Sequence, residues 1–176
     1  LAVYSPVAHW VWGVGGWIRD MGCLDFAGGM VVHVTAGFSA LVAASMLGQR
    51  TEKNHASRPH DINTILLGTA LLWFGWFGFN GGSALGANGL ASHAIATTFI
   101  AAAGAFISWS IVDVISKGKP SAVGAAIGAV AGLVAITPAS GFVTVSSALI
   151  IGLLTGVLCN VIIGIIKSKT GLDDTL

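Results

Sequence analysis

The stretch Asp25-Phe26-Ala27-Gly28-Gly29-Met30-Val31-Val32-His33 places an acid, two glycines and a histidine at the front of an apolar run that continues to residue 47. A helix of bilayer length rarely tolerates ionisable groups unless they serve a pathway or a packed polar site. The segments on either side have the same apolar character. Hydrophobic residues make up 55% of the chain, charged residues 9%, and the mean hydropathy is +0.86. A soluble domain carries about a quarter charged residues, so this is an integral membrane protein.

Apolar runs near the ~20 residues needed to cross hydrocarbon fall at 1–18, 25–47, 62–84, 88–115, 121–137 and 142–166. They predict an all-α fold, a polytopic membrane bundle of about six transmembrane helices in one domain, 1–176. The net charge of +1 argues against a nucleic-acid surface, and lipid is the expected surround. Cys23 and Cys159 lie far apart, so neither a disulfide framework nor a metal spacing follows, and no cofactor is called for. The chain begins with Leu1 and shows no cleavable signal, so it reads as an internal piece of a longer protein.

Charge settles the orientation. Arg50, Lys53, Arg58, Lys117, Lys119, Lys167 and Lys169 fall on one side if every run spans, leaving Arg19 on the other. The positive-inside rule makes the richer side cytoplasmic. The outer connections, 19–24, 81–87 and 137–141, are short, and 49–61 is the sizeable loop. Among the 25 glycines, Gly29 and Gly37 flank His33 at four-residue spacing, which suits close helix approach.

Asp25 opens the second run on the outer side. Its carboxylate can cap backbone N–H groups at the positive helix end, or it can attract or deprotonate a cation. His33 lies about 12 Å deeper at ~1.5 Å per residue, near the bilayer midplane. Desolvation there favours the neutral imidazole, which both donates and accepts hydrogen bonds. It can line a pore for a small polar species, pass a proton, or simply bond a neighbouring helix. No second His, Cys or carboxylate matches it at metal-ligand spacing.

The third run carries Trp73-Phe74-Gly75-Trp76-Phe77-Gly78-Phe79-Asn80-Gly81-Gly82-Ser83 in its outer half. An interfacial aromatic belt accounts for Trp73 and Phe74. Phe79 and Ser83, four apart, share a face, and a hydroxyl above an aromatic plug suits the mouth of a selective pore. Trp76 is placed with Phe79 and His33 in the pore and gate group. Trp12, near the outer end of the first run, is either a cation–π partner or a belt residue beside Trp10 and Trp17. His9 and His93 read as interhelical hydrogen-bonding residues. Asp113 either snorkels or pairs with Lys117, and His55 and His60 belong to the solvated loop.

Together these residues resemble the Amt/MEP/Rh ammonium transporter family. The matching pieces are Ala8-His9-Trp10-Val11-Trp12-Gly13, Leu24-Asp25-Phe26-Ala27-Gly28-Gly29 through His33, Gly75 through Ser83, Gly118-Lys119-Pro120-Ser121, Gly132 through Ala139 with its Thr137-Pro138, and Asp173-Asp174. Trp12 and Ser83 favour the Amt branch over Rh. The resemblance implies eleven spans in an inverted repeat, of which this chain resembles the fourth to ninth. It implies ammonium recruitment at Trp12 and Ser83, a role for Asp25 in recruitment and site architecture, Phe79 as one ring of a stacked gate, and His33 as the first of two pore histidines. The second gate ring and second histidine belong to segments outside this chain, and His93 does not take the latter's place. It further implies a homotrimer in the cell membrane, methylammonium as a substrate analogue, and a PII-type regulatory protein at the cytoplasmic face.

The mechanism expected on this basis starts from size. Ammonium is about as large as potassium, so a pore of fixed radius discriminates poorly. Moving either bare ion into hydrocarbon costs tens of kcal/mol by a Born estimate. Ammonium, however, has N–H donors and a removable proton. It is expected to bind at Trp12 and Ser83, lose its proton near Phe79, and pass His33 as ammonia. An ammonium sensor fused to a signalling module and an Rh-like gas channel are the alternatives. An enzyme is not expected, because no activated nucleophile accompanies His33 and Asp25.

Overall fold

Helix boundaries in this molecule follow its glycines and polar side-chain caps. The computed structural model describes residues 1–48 and 61–170, and it is helical throughout with connecting turns. The elements are α1 (Tyr4–Trp12), α2 (Trp17–Asp20), a π-helical segment Gly29–Val34 running into α3 (Thr35–Leu47), α4 (Ile62–Gly82), α5 (Gly89–Lys117), α6 (Ala122–Ile136) and α7 (Val145–Thr170). Asp61, Asn88 and Ser121 cap α4, α5 and α6, each accepting from a backbone N–H of the first turn. The loop residues 49–60, with Arg50, Lys53, His55, Arg58 and His60, and the pair Asp173-Asp174 lie outside the described residues.

Among the described residues four helices are long and apolar enough to cross a membrane: Gly29–Leu47, Ile62–Gly82, Gly89–Lys117 and Val145–Lys169. The molecule is therefore a multi-pass membrane protein. Helix α6 is shorter, at 15 residues. The run at 1–18 departs from the expectation of a single span. It breaks into α1 and α2 across Gly13-Val14-Gly15-Gly16, where Gly15 takes a left-handed φ of +76°. The backbone at Gly16 comes so close to α1 that a β-carbon there would lie 2.5 Å from the Trp10 carbonyl oxygen. Hydropathy registered the apolar content of this run, while the glycines fold it back on itself.

The core is a trio, α5, α6 and α7, packed through small residues. Gly124, Gly128 and Gly132 form one stripe on α6, and Ala148, Gly152 and Gly156 form another on α7. Both stripes close on α5, with a β-carbon at Gly132 falling 2.7 Å from the Ala101 carbonyl and one at Gly152 overlapping it. Apolar side chains gain little by leaving lipid for a protein interior, so helices in a bilayer associate through such close backbone contact. Gly132, Gly128 and Gly124 descend past Ala101, Ala105 and Trp109 in turn, which makes α6 antiparallel to α5. Gly152 and Gly156 meet Ala101 and Ala105 in ascending order, so α7 runs parallel to α5. This is the alternation expected of successive membrane crossings.

Candidate functional site

The end of α6 organises the site. After Ile136 the chain turns through Thr137-Pro138-Ala139-Ser140-Gly141 before α7 begins, and Thr137 and Ser140 are wholly buried. The start of the Asp25–His33 stretch nests on this turn. The Phe26 N–H donates to the Pro138 carbonyl at 2.9 Å, and the Phe26 ring covers Gly141 and meets Phe142 edge-on at 5.5 Å. Gly29 lies flat on the Pro138 ring, where an added β-carbon would come within 2.5 Å.

Asp25 is buried, and both carboxylate oxygens act as acceptors. Oδ1 accepts from the N–H groups of Gly28 at 2.9 Å and Gly29 at 2.7 Å, while Oδ2 accepts from Met30 at 2.8 Å and Val31 at 3.2 Å. The first backbone donors of a membrane helix have no intrahelical partner, and in lipid they have no water either. One carboxylate satisfies four of them. The left-handed φ of +105° at Gly28 bends the backbone around it.

The helix that follows is not regular. From Gly29 to Val34 it is π-helical, with the His33 N–H reaching the Gly28 carbonyl at 3.2 Å. Single π turns inside α-helices are rare and frequent at functional sites. Here the wide turn changes the register, so His33 is not flanked by Gly29 and Gly37 along a straight face. Gly29 meets Pro138, and Gly37 meets open space.

His33 is half-buried and held on three sides. Its ring stacks on Trp76, with centroids 5.2 Å apart and planes at 26°, and on Phe79 at 5.7 Å and 28°. Its Nε2 lies 3.2 Å from the Thr137 hydroxyl. The same oxygen accepts the Trp76 Nε1–H at 2.8 Å, and the Thr137 hydroxyl reaches the Leu133 carbonyl at 2.7 Å. Sequence reading placed Trp76, Phe79 and His33 together but gave Thr137 no role. The signal available was a hydroxyl directly before Pro138 at a helix end.

Trp12 and Ser83 sit at the periphery. The Trp12 Nε1–H donates to the Asp25 carbonyl at 2.8 Å, which fixes the indole beside the capped helix start, with 40% of the residue exposed. A β-carbon on Gly28 would lie 3.4 Å from Trp12 Cη2. The Ser83 hydroxyl donates back to the Phe79 carbonyl at 2.9 Å, and Phe79 is 41% exposed. Among the described residues no hydrogen bond joins Trp12 to Ser83.

Other candidates resolve into packing. Asn80 is wholly buried and its amide donates to Thr98 at 2.9 Å, so it docks α4 on α5. The ring of His93 bonds the Val143 carbonyl at 2.8 Å, so it ties α5 to the connection between α6 and α7 and not, as expected, to another helix. His9 instead lies over Gly13 of its own segment. Asp113 pairs with Lys117 at 2.7 Å, yet it is wholly buried rather than snorkelling, and the Asn160 amide donates to the same oxygen at 3.0 Å. Trp73 is half-buried against Phe99 at 5.8 Å, while Phe74 faces outward.

Comparison with known proteins gives a consistent result. The model of the Ammonium Transporter Family matches residues 1–176. The chain is 50% identical to the ammonium transporter Amt1 of Archaeoglobus fulgidus over 175 residues, covering 99% of this chain and 44% of that protein. It is 52% identical to an ammonium transporter of Bacillus subtilis, covering 99% of this chain and 43% of the relative. The crystal structure of Saccharomyces cerevisiae Mep2 superposes with a TM-score of 0.91 at 44% identity, over 99% of this chain and 39% of that one. A solved structure named Sensor Amt Protein also reaches 0.91, at 39% identity, over 98% of this chain and 45% of that one. The chain thus spans less than half the length of the relatives it matches.

Proposed function

Because this chain belongs to the Ammonium Transporter Family, we propose that the protein of which it forms part carries ammonium, as ammonia and a proton, across a membrane. The observation that carries the reading is the three-sided setting of His33, stacked on Trp76 and Phe79 and bonded to Thr137, at the start of a membrane-spanning helix. That setting gives a passing N–H compound one polar edge among aromatic faces. A bare potassium ion, with no N–H to donate and no proton to lose, gains little there.

In this reading Trp12 and Ser83 form the outer recruitment point. The exposed indole face offers a cation–π contact, which is worth ~1–2 kcal/mol according to its desolvation. The Ser83 hydroxyl, spent as a donor on Phe79, keeps lone pairs for an ammonium N–H. Phe79 closes the path inward, and the proton leaves near it. Asp25 acts chiefly through architecture: its carboxylate holds the helix start and its carbonyl holds Trp12. A homotrimer and a PII-type cytoplasmic partner belong to the same proposal by family resemblance.

A sensor is the second reading, favoured by the likeness to the Sensor Amt Protein. Uptake of labelled methylammonium by vesicles carrying the full-length parent separates the two. Uptake suppressed by ammonium and not by potassium supports transport. Saturable binding without flux supports a sensor, and neither result would sink both.

A further inference from the structure

The geometry points to Thr35 as a positioning residue whose hydroxyl holds the π turn open and so keeps the His33 ring on Trp76, Phe79 and Thr137. Its consequence for transport rests on the reading of His33 as a pore residue.

A π turn holds one residue more than the α turn it replaces, and the backbone groups it displaces need partners. Two groups record the extra residue here. At the start of the turn the Gly28 carbonyl accepts twice, from the Val32 N–H at 2.7 Å and the His33 N–H at 3.2 Å. At its end the Thr35 N–H reaches the Val32 carbonyl, and not the Val31 carbonyl that a regular α-helix would give it. Val31 is wholly buried, so water cannot take the place of that N–H. The Thr35 side chain does. Its hydroxyl lies 2.6 Å from the Val31 carbonyl and 2.9 Å from the Val32 carbonyl. It has one proton to donate, and the Val32 carbonyl already has the Thr35 N–H. The proton therefore goes to Val31, a buried acceptor that is costly to strand. A threonine hydroxyl bonded back four residues also bends a helix, which suits a turn wider than α.

The turn decides where His33 faces. Upstream, Asp25 grips the N–H groups of Gly28 to Val31, and Gly29 lies on Pro138. With that end held, tightening the turn to α would swing His33 and the residues after it by about 100°, at 3.6 residues per turn. The imidazole would leave the rings of Trp76 and Phe79, now 5.2 and 5.7 Å away, and the Thr137 hydroxyl at 3.2 Å. The outer pair is spared, because Trp12 hangs on the Asp25 carbonyl and Ser83 on the Phe79 carbonyl. Ser45 supplies a contrast on the same helix. Its hydroxyl bonds back to the Val42 carbonyl at 2.7 Å, in a regular and exposed stretch.

The test uses the full-length parent in lipid bilayers with Thr35→Val, Thr35→Ala, Thr35→Ser and Ser45→Ala. Proton-detected NMR of labelled histidine, with His33→Gln to assign His33, reads the stack as an upfield ring-current displacement of the His33 ring protons. Methylammonium uptake is scaled to folded protein. The parent and Thr35→Ser, which keeps the hydroxyl, should share the displacement and the uptake. Thr35→Val keeps the shape without the donor. It should lose the displacement and lower the maximal uptake rate about tenfold, as expected from an unpaired buried acceptor, with half-saturation unchanged. Thr35→Ala, a better helix former, should do the same, and it decides the matter where the valine variant fails to fold. Ser45→Ala should match the parent. A valine or alanine variant with the parent's displacement and uptake overturns the inference. So does a serine variant that behaves like valine, a Ser45→Ala loss equal to that of Thr35→Val, or a parent without the displacement. If the parent carries no methylammonium, the transport reading fails, and the His33 displacement in the same samples still decides the role of Thr35.

Discussion

Helices α5, α6 and α7 touch through their backbones, whereas α3 and α4 are joined to the rest by a few side chains near one end. Along α5 the buried residues run from Ala94 to Asp113. By contrast α3 buries none, and α4 buries Asn80 and Gly81 alone. Yet His33, Trp76 and Phe79 all belong to the loosely covered part. They are brought to the packed trio by three tethers: Trp76 and His33 on Thr137, Asn80 on Thr98, and Phe26 on Pro138. A rigid block of small residues carries the turn at 137–141, and the turn carries the site. Accurate placement of the site therefore depends on polar contacts at one end, not on burial along the helices that bear it.

The sharpest way to break this comparison is to overfill the trio. Gly152→Leu would push a side chain into the Ala101 backbone, and with no void to accept it the expected cost is about 3 kcal/mol. Thermal unfolding of the full-length parent in lipid reads this directly. Phe38→Ala on α3, at a residue 67% exposed, should change stability by less than about 0.5 kcal/mol. Equal losses would mean that the face of α3 is covered in the whole protein as tightly as α5 is here.

The tethers come next. Asp25→Ala leaves four backbone N–H groups without an acceptor, with an expected loss of about 2 kcal/mol or more. Asp25→Asn keeps one oxygen and should fall between. Because the Asp25 carbonyl also seats Trp12, methylammonium uptake should drop along with stability in both variants. An asparagine variant with full stability but no uptake would point to a direct role for the charge. At the other end of α5, Asp113→Ala removes the acceptor shared by Lys117 and Asn160, for an expected cost of about 1–3 kcal/mol. It should leave methylammonium affinity unchanged, since Asp113 lies outside the His33 cluster.

Much of this was legible in the sequence for a physical reason. Membrane helices must be apolar for about 20 residues, so α3, α4, α5 and α7 announced themselves. His33, Trp76 and Phe79 stood out because polar and aromatic groups inside such runs are few. What escaped was geometry set by partners distant along the chain. The break at Gly13–Gly16 is invisible to hydropathy, and the π turn at Gly29–Val34 has no periodicity signal of its own. Thr137 looked like any helix-end hydroxyl, because its value lies in bonding two residues that come from other helices. For Asp113 the sequence shows the partner Lys117, which the structure bears out, but not the burial of the carboxylate or Asn160 on α7.

The smallest effect expected lies at the start of α4, in the loosely covered part, and it is a pH effect. Asp61 accepts from the Thr64 hydroxyl and the Asn63 N–H at 2.8 Å each, and these bonds hold its carboxyl below the ordinary carboxylate value. The sign follows from linkage: a carboxyl that binds its proton less readily in the folded state stabilises that state when ionised. The contribution is complete above the ordinary value and disappears as the pH falls through the lowered native one. Asp61 is fully exposed, so water competes for both bonds and the effect is expected to be small. The difference in thermal midpoint between the parent and Asp61→Ala, followed downward from neutral pH, should shrink through the acid range. A difference of the size seen for Asp25→Ala would show that this end of α4 is held as firmly as the end at Thr137, and the contrast between the two halves would then need another cause.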